Sequence, residues 1–375
     1  MPKNRPSRIL LAGGGTGGHV YPAIAIADAI RAIEPEAVLA FAGTQDRIEW
    51  EAVPKAGYPI HPITVSGLQR TFSWTSIKRN LAFPFKLMKG LMQSRKLVKG
   101  FDPDVVVGTG GYVSGPVLRA AANAGRKIVL QEQNAYAGMT NKLMGKQAAR
   151  VHIAFEEART YFQGADCRLS GNPTRKNLQN VSKTEARAHW GLPQDATVLL
   201  LFGGSLGSAV LNKAMQDVLP RLLENENLYI LWQSGKQWFD RLSQEVPAHP
   251  RVKLMKYVDR MDFAYAAADL AVCRAGAISC SELMVTGTPA ILIPSPHVAE
   301  DHQTKNALAM SRAGAAKLLP ESDLSTEVGF WAMIQTLLNA PSDRETMRQA
   351  ALKLAKPNAA TEIAQDILTI ARSAA

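Results

Sequence analysis

Two glycine-rich segments hold the residue types from which a phosphate or sugar site is built. The first, Gly13-Gly14-Gly15-Thr16-Gly17-Gly18-His19, follows the apolar run Arg8 to Ala12 and precedes a helical pattern over Pro22 to Ile30. A strand-to-helix turn of this composition aims backbone N–H groups and the positive helix end at an anion, and glycine lets the anion approach closely. The second, Gly203-Gly204-Ser205-Leu206-Gly207-Ser208, repeats the pattern half a chain later, with the Ser205 hydroxyl available to a phosphate oxygen. A third glycine-rich turn, Gly108-Thr109-Gly110-Gly111-Tyr112, follows the run Asp104 to Val107 and is expected to face the same ligand. Asp269 to Glu282 reads as a strand, a small-residue turn and a helix start. A helix N-terminus there favours a diphosphate, and Glu282 one turn inside can accept hydrogen bonds from a ribose diol. Each loop also fits a tight turn without a ligand, and Glu282 also fits an ordinary first-turn acid.

Gly13, Gly15 and Gly18 satisfy G-x-G-x-x-G, which raises a dinucleotide dehydrogenase as an alternative. That reading needs an acidic residue at the end of the next strand, where Phe41-Ala42-Gly43-Thr44 has none and Asp46 comes late. Asp102-Pro103-Asp104 spells the D-x-D of metal-dependent sugar transferases, yet it precedes its strand and reads as a turn, so no metal ligand set is expected.

The elements that position these residues alternate between short apolar runs and helical patterns. Arg8 to Ala12, Ala37 to Ala42, Asp104 to Val107, Lys127 to Leu130 and Arg150 to Ala154 form one series of predicted strands. Thr197 to Phe202, Tyr229 to Gln233, Val252 to Leu254, Leu270 to Cys273 and Ala290 to Ile293 form another. The rhythm predicts an α/β protein with two parallel sheets. A chain of 375 residues exceeds the usual size of one core. We place the first domain at 1–169 and the second at 170–358, with the breakers Ser170-Gly171-Asn172-Pro173 between them. The helical pattern Thr361 to Arg372 suits either domain.

The 43 Lys and Arg against 32 Asp and Glu give a net charge of +11, and the window Thr71 to Gly100 supplies seven of it without one acidic residue. There Trp74, Ile77, Leu81, Phe83, Phe85, Leu87, Met88, Leu91 and Met92 alternate with Lys78, Arg79, Lys86, Lys89, Arg95, Lys96 and Lys99. This is the composition of a segment lying on anionic lipid, although a core helix with a basic face has it too. Pro84 argues against one continuous helix. Nucleic acid would need stacking aromatics on a basic sheet, which do not appear, so no nucleic-acid partner is expected. The apolar run after the basic start is too short for a signal peptide, and no stretch is long enough to span a bilayer. Cys167, Cys273 and Cys280 show neither disulfide nor zinc spacing and read as reduced thiols.

Taken in order, Gly13 to Ala23, Thr109-Gly110-Gly111-Tyr112-Val113-Ser114-Gly115-Pro116, Glu132-Gln133-Asn134-Ala135, Gly171-Asn172-Pro173-Thr174-Arg175, Gly203 to Gly207 and Arg274-Ala275-Gly276-Ala277-Ile278-Ser279 resemble the motifs of the MurG family. These are peptidoglycan N-acetylglucosaminyltransferases that convert lipid I to lipid II. The resemblance covers most of the chain and implies the B-type glycosyltransferase fold, two Rossmann-like domains with a cleft between them, and no cofactor. It implies donor or acceptor contacts for Thr16, Gly17, Gly18 and Asn134, and places Arg175 and Ser205 near the diphosphate. Val258 would offer backbone hydrogen bonds to uracil. Ala277, Ile278, Ser279, Cys280, Ser281 and Glu282 would cover ribose and phosphate, and Gln303 would hold sugar hydroxyls. The implied substrates are UDP-N-acetylglucosamine and undecaprenyl-linked lipid I, at the cytoplasmic face of the inner membrane. A partnership with the cell-wall or division machinery also follows from the resemblance. A diacylglycerol sugar transferase is the competing enzyme reading.

Glycosyl transfer builds negative charge on the leaving diphosphate while the acceptor hydroxyl loses a proton. An imidazole, titrating ordinarily near pH 6.5, suits that proton, so His19 is the expected general base, with Glu132 and Tyr112 as alternatives or helpers.

Overall fold

The computed structural model describes residues 5–65, 83–175, 177–326 and 329–373. The chain forms two compact units, one comprising Met1–Thr174 and Pro357–Ala375, the other Arg175–Lys356. In the first unit, β1 (Arg8–Gly13), β2 (Val38–Gly43), β3 (Ile60–Pro62), β4 (Val105–Gly110), β5 (Lys127–Glu132), β6 (Arg150–Ile153) and β7 (Cys167–Leu169) make one sheet. Its order is β3-β2-β1-β4-β5-β6-β7, and every pair is parallel. The second sheet takes β8 (Thr197–Phe202), β9 (Leu228–Gln233), β10 (Val252–Met255), β11 (Leu270–Cys273), β12 (Ala290–Leu292) and β13 (Lys317–Leu318) in the order β10-β9-β8-β11-β12-β13, again all parallel.

Parallel strands are covered by helices on both faces, which is why β1, β8 and β11 are nearly unbroken apolar runs with no exposed side chain. In each sheet the strand order reverses beside the first strand of its series, at β1/β4 and at β8/β11. A crevice opens at such a reversal, outside the carboxyl ends of the strands, and both glycine loops leave from there.

The edge strands β3, β7 and β13 are not foreshadowed by the apolar spacing. They are two or three residues long, and Pro62, Arg168 and Lys317 interrupt any apolar signal. The third glycine segment also differs from its expected form. Gly108 and Gly110 continue β4 instead of forming a turn, with a register shift opposite Gly13.

The last helix, Ala359–Ser373, buries Ile363, Ala364, Ile367 and Leu368 against Ile9, Leu11, Ile26 and Ile30 of the first unit. Asp366 on the same helix accepts from Arg168 at 3.1 Å, lies 3.4 Å from Arg150 Nη1 and sits 3.2 Å from Nε2 of the buried His152. The polar pins and the apolar face together tie the end of the chain to β6 and β7.

Candidate active site

The first glycine segment is held from several sides. Thr16 caps the helix Gly17–Ile33 in an extended conformation without a side-chain capping bond, and Gly15 stands at φ +86°. The Gly14 N–H donates to the Gly110 carbonyl at 3.3 Å, and the Gly15 N–H donates to Glu49 Oε2 at 2.9 Å. These two amides are therefore not aimed at an anion, contrary to expectation, and the amides at the helix start, from Thr16 to Gly18, remain for a ligand. Pro22 lacks the N–H that would bond the Gly18 carbonyl, which frees an acceptor in the first turn.

His19, half-buried in that turn, is oriented by the neighbouring strands. Its Nδ1 lies 3.0 Å from the Thr109 carbonyl and 3.0 Å from Gln133 Oε1. The Gln133 amide nitrogen donates to the Thr109 carbonyl at 2.7 Å and to the Gln131 carbonyl at 3.0 Å, so its oxygen is what faces the ring. Both groups facing Nδ1 accept, which assigns the hydrogen to Nδ1 and the lone pair of the neutral ring to Nε2. Asn172 extends the brace by donating to the Gln133 carbonyl at 3.0 Å and accepting from Gln131 at 2.8 Å. A Cβ on Gly110 would meet the imidazole at 2.8 Å, so only glycine leaves the ring its place.

Glu132 is buried. It accepts the backbone N–H groups of Asn134 at 3.0 Å and Gly138 at 2.9 Å, and the Asn141 amide at 2.8 Å. Its oxygens thus shape the turn that carries Asn134, an arrangement that suits support better than proton transfer. Tyr112 is 65% exposed beside the glycine segment. Gln131, Gln133 and Asn172 received no role from the sequence, where the available signal was a pair of polar residues closing an apolar strand.

In the second unit Gly204 and Gly207 take φ +89° and +81°, and a Cβ on Gly207 would stand 2.0 Å from the Ser234 carbonyl. The loop therefore lies flat on the turn after β9, with Ser205 exposed. Gln233 clamps it, donating to the Gly204 carbonyl at 3.0 Å and accepting the Val258 N–H at 2.9 Å. The Val258 N–H is thus already engaged, and a base taking it has to displace the glutamine.

The helix Ala277–Thr286 opens at Gly276, with Ala277, Ile278 and Ser279 half-buried. Cys280, Ser281 and Glu282 are buried, and burial pushes the Cys280 thiol up to about 12. Of the segment expected over ribose and phosphate, the Cys280 side chain belongs to the core. Glu282 accepts from the Tyr265 hydroxyl at 3.0 Å, and its other oxygen lies 3.3 Å from Arg175 Nε. Burial raises the Glu282 carboxyl above its ordinary range, with the Arg175 charge and the Tyr265 hydroxyl pulling the other way. Arg175 is the first residue of this unit, and the pairing with Glu282 anchors it there. Gln303 accepts the Ser295 N–H at 2.9 Å and braces the turn after β12. Arg274 ties the end of β11 to the turn after β12 and to the cap of the helix Ala209–Leu222, donating to Ser208 Oγ at 2.9 Å and to the Ile293 and Pro294 carbonyls at 3.2 and 3.3 Å.

The D-x-D carboxylates serve the sheet. Asp104 accepts the Arg8 N–H at 2.9 Å and pairs with Arg5 at 2.9 Å, while Asp102 pairs with Arg126. Among the described residues no group of three or more His, Cys, Asp or Glu is placed to hold a metal ion.

Residues 9–153 match the glycosyltransferase family 28 N-terminal domain, and residues 198–367 match the family 28 C-terminal domain. A Salinibacter ruber protein named UDP-N-acetylglucosamine–N-acetylmuramyl-(pentapeptide) pyrophosphoryl-undecaprenol N-acetylglucosamine transferase is 52% identical over 367 residues, covering 98% of each chain. The Christiangramia forsetii protein of the same name is 43% identical over 96% of each chain. The crystal structure of Acinetobacter baumannii MurG superposes with a TM-score of 0.76 at 28% identity, covering 97% of this chain and all of that one. The kitacinnamycin glycosyltransferase, at 16% identity and a TM-score of 0.70, shares the fold. With both halves matched and a relative more than half identical almost end to end, the chain belongs to the MurG family of family 28 glycosyltransferases and has the B-type glycosyltransferase fold.

Proposed function

We propose that the chain transfers N-acetylglucosamine from UDP-N-acetylglucosamine to the muramyl sugar of N-acetylmuramyl-(pentapeptide) pyrophosphoryl-undecaprenol, inverting the anomeric carbon. The observation that carries this reading is 52% identity across 98% of a relative bearing that name. The braced imidazole of His19 supports it. The acceptor hydroxyl oxygen attacks the anomeric carbon as the bond from that carbon to the β-phosphate oxygen breaks. The proton passes to His19 Nε2, and the electron pair of the broken bond leaves on UDP. Thr16, Gly17, Gly18 and Asn134 contact donor or acceptor, with Tyr112 exposed beside them. Ser205, Arg175 and the helix start at Ala277 to Ser279 stabilise the departing diphosphate. Glu282 takes the ribose, Val258 the base and Gln303 the sugar hydroxyls. Purified protein given labelled UDP-N-acetylglucosamine and a lipid I analogue should make the disaccharide. Transfer seen only in a control with UDP-glucose and diacylglycerol would overturn the reading.

We further propose that the chain attaches peripherally to the cytoplasmic face of the membrane. The helix Phe83–Phe101 supports this by exposing Phe85, Leu87, Met88 and Met92 beside Lys89, Arg95, Lys96 and Lys99, while burying Gly90, Ser94 and Val98. Pro84 is the second residue described in this helix, which runs unbroken from there to Phe101. Trp74, Ile77, Lys78, Arg79 and Leu81 lie outside the described residues. Among the described residues no helix is long and apolar enough to cross a membrane. Reversing the charges of Lys89, Arg95 and Lys96 should weaken binding to anionic vesicles by at least about a hundredfold, given about 1 kcal/mol per basic residue. Co-sedimentation indifferent to both salt and charge reversal would count against the membrane face. Attachment there sets the chain beside other users of the lipid acceptor, and partnership with the cell-wall or division machinery belongs to the same proposal.

A further inference from the structure

We propose that Glu49 is a positioning residue for the acceptor: its buried carboxylate shapes the first glycine segment and thereby sets where Thr16 to His19 stand, an inference that rests on the transferase reading above. Glu49 opens the helix Glu49–Lys55 and has no exposed surface. Its Oε2 accepts the Gly15 N–H at 2.9 Å, and its Oε1 accepts the Thr44 N–H at 3.1 Å and the Thr44 hydroxyl. The glycines around it make the room. A Cβ on Gly14 would stand 2.3 Å from Glu49 Oε1, and one on Gly43 would stand 2.7 Å from Glu49 Cγ.

The far side of the segment is equally closed. A Cβ on Gly111 would lie 2.1 Å from the Gly14 carbonyl oxygen, and one on Gly13 would lie 1.9 Å from Thr109 Oγ1, the hydroxyl that donates to the His19 carbonyl at 2.8 Å. The segment is thus caught between the Glu49 carboxylate and the glycine-rich end of β4, with the helix that carries His19 starting directly after it. Only a carboxylate accepts on both oxygens. A glutamine would turn its NH₂ toward either the Gly15 N–H or the buried Thr44 N–H and leave that donor without its acceptor.

Steady-state transfer by the full chain, with UDP binding measured by calorimetry, tests the assignment. Glu49→Gln is expected to lower kcat/KM for a lipid I analogue at least tenfold while UDP affinity stays within twofold, because the nucleotide groups belong to the other unit. Gly14→Ala, which drives a methyl group into the same carboxylate, should reproduce this split, and it decides the question if Glu49→Gln does not fold. Wild-type kinetics in the folded variants, or equal losses for acceptor and UDP, would overturn the positioning role alone. An unsubstituted chain that transfers nothing to the acceptor would overturn the transferase reading and this inference with it.

Discussion

Replacing His19 by alanine is expected to lower kcat by roughly 10²–10⁴-fold, the range contributed by a positioned general base, while the KM for UDP-N-acetylglucosamine changes by less than about threefold. The size follows from the brace. Nδ1 faces two acceptors at 3.0 Å, so the neutral ring presents a lone pair on Nε2 without first reorienting. Initial rates over a pH series supply a second signature, since the acid limb of kcat/KM should vanish in the variant if His19 is the base. Near-normal turnover in a folded His19→Ala protein that still binds donor would remove His19 from the mechanism.

Asp366→Asn should lower stability by about 3 to 5 kcal/mol, as expected when one partner of a buried charge cluster is removed. Asp366 is 8% exposed and faces Arg150, Arg168 and His152, so the substitution removes the carboxylate shared by two guanidinium groups and an imidazole, with Arg150 keeping Asp166 at 3.1 Å. Arg168 is half-exposed and recovers water, which pulls the value toward the lower end. Urea unfolding followed by tryptophan fluorescence measures the loss, and a change below about 1 kcal/mol would show that the apolar face of the helix holds it unaided. UDP binding should survive, because the substituted cluster lies wholly in the first unit.

The sequence made the central strands visible because a strand covered on both faces has no polar side. Val198 to Phe202 and Leu270 to Cys273 are continuous apolar runs for that reason. The edge strand Lys317–Leu318 lacked any such run. At the site, the glycines showed because close backbone approach tolerates nothing larger, as at Gly110 against His19. Gln131, Gln133, Asn172 and Glu49 stayed hidden for the opposite reason. Each acts on a residue distant in the chain, and its own neighbours in sequence do not reveal the contact. For Val258 the resemblance supplied backbone hydrogen bonds to uracil, and only the folded chain shows that Gln233 accepts its N–H.

The final helix also bears on biosynthesis. Residues 1–174 contain every strand of the first sheet, yet Ile363, Ile367 and Leu368, which cover part of its core, are made only after the whole second unit. During translation the first-made half must wait with an apolar face open while the 175–356 unit, continuous in sequence, has all its residues in hand. The order of completion is therefore the reverse of the order of synthesis, and a ribosome that stops short of the last helix releases a chain whose second unit can be finished and whose first cannot.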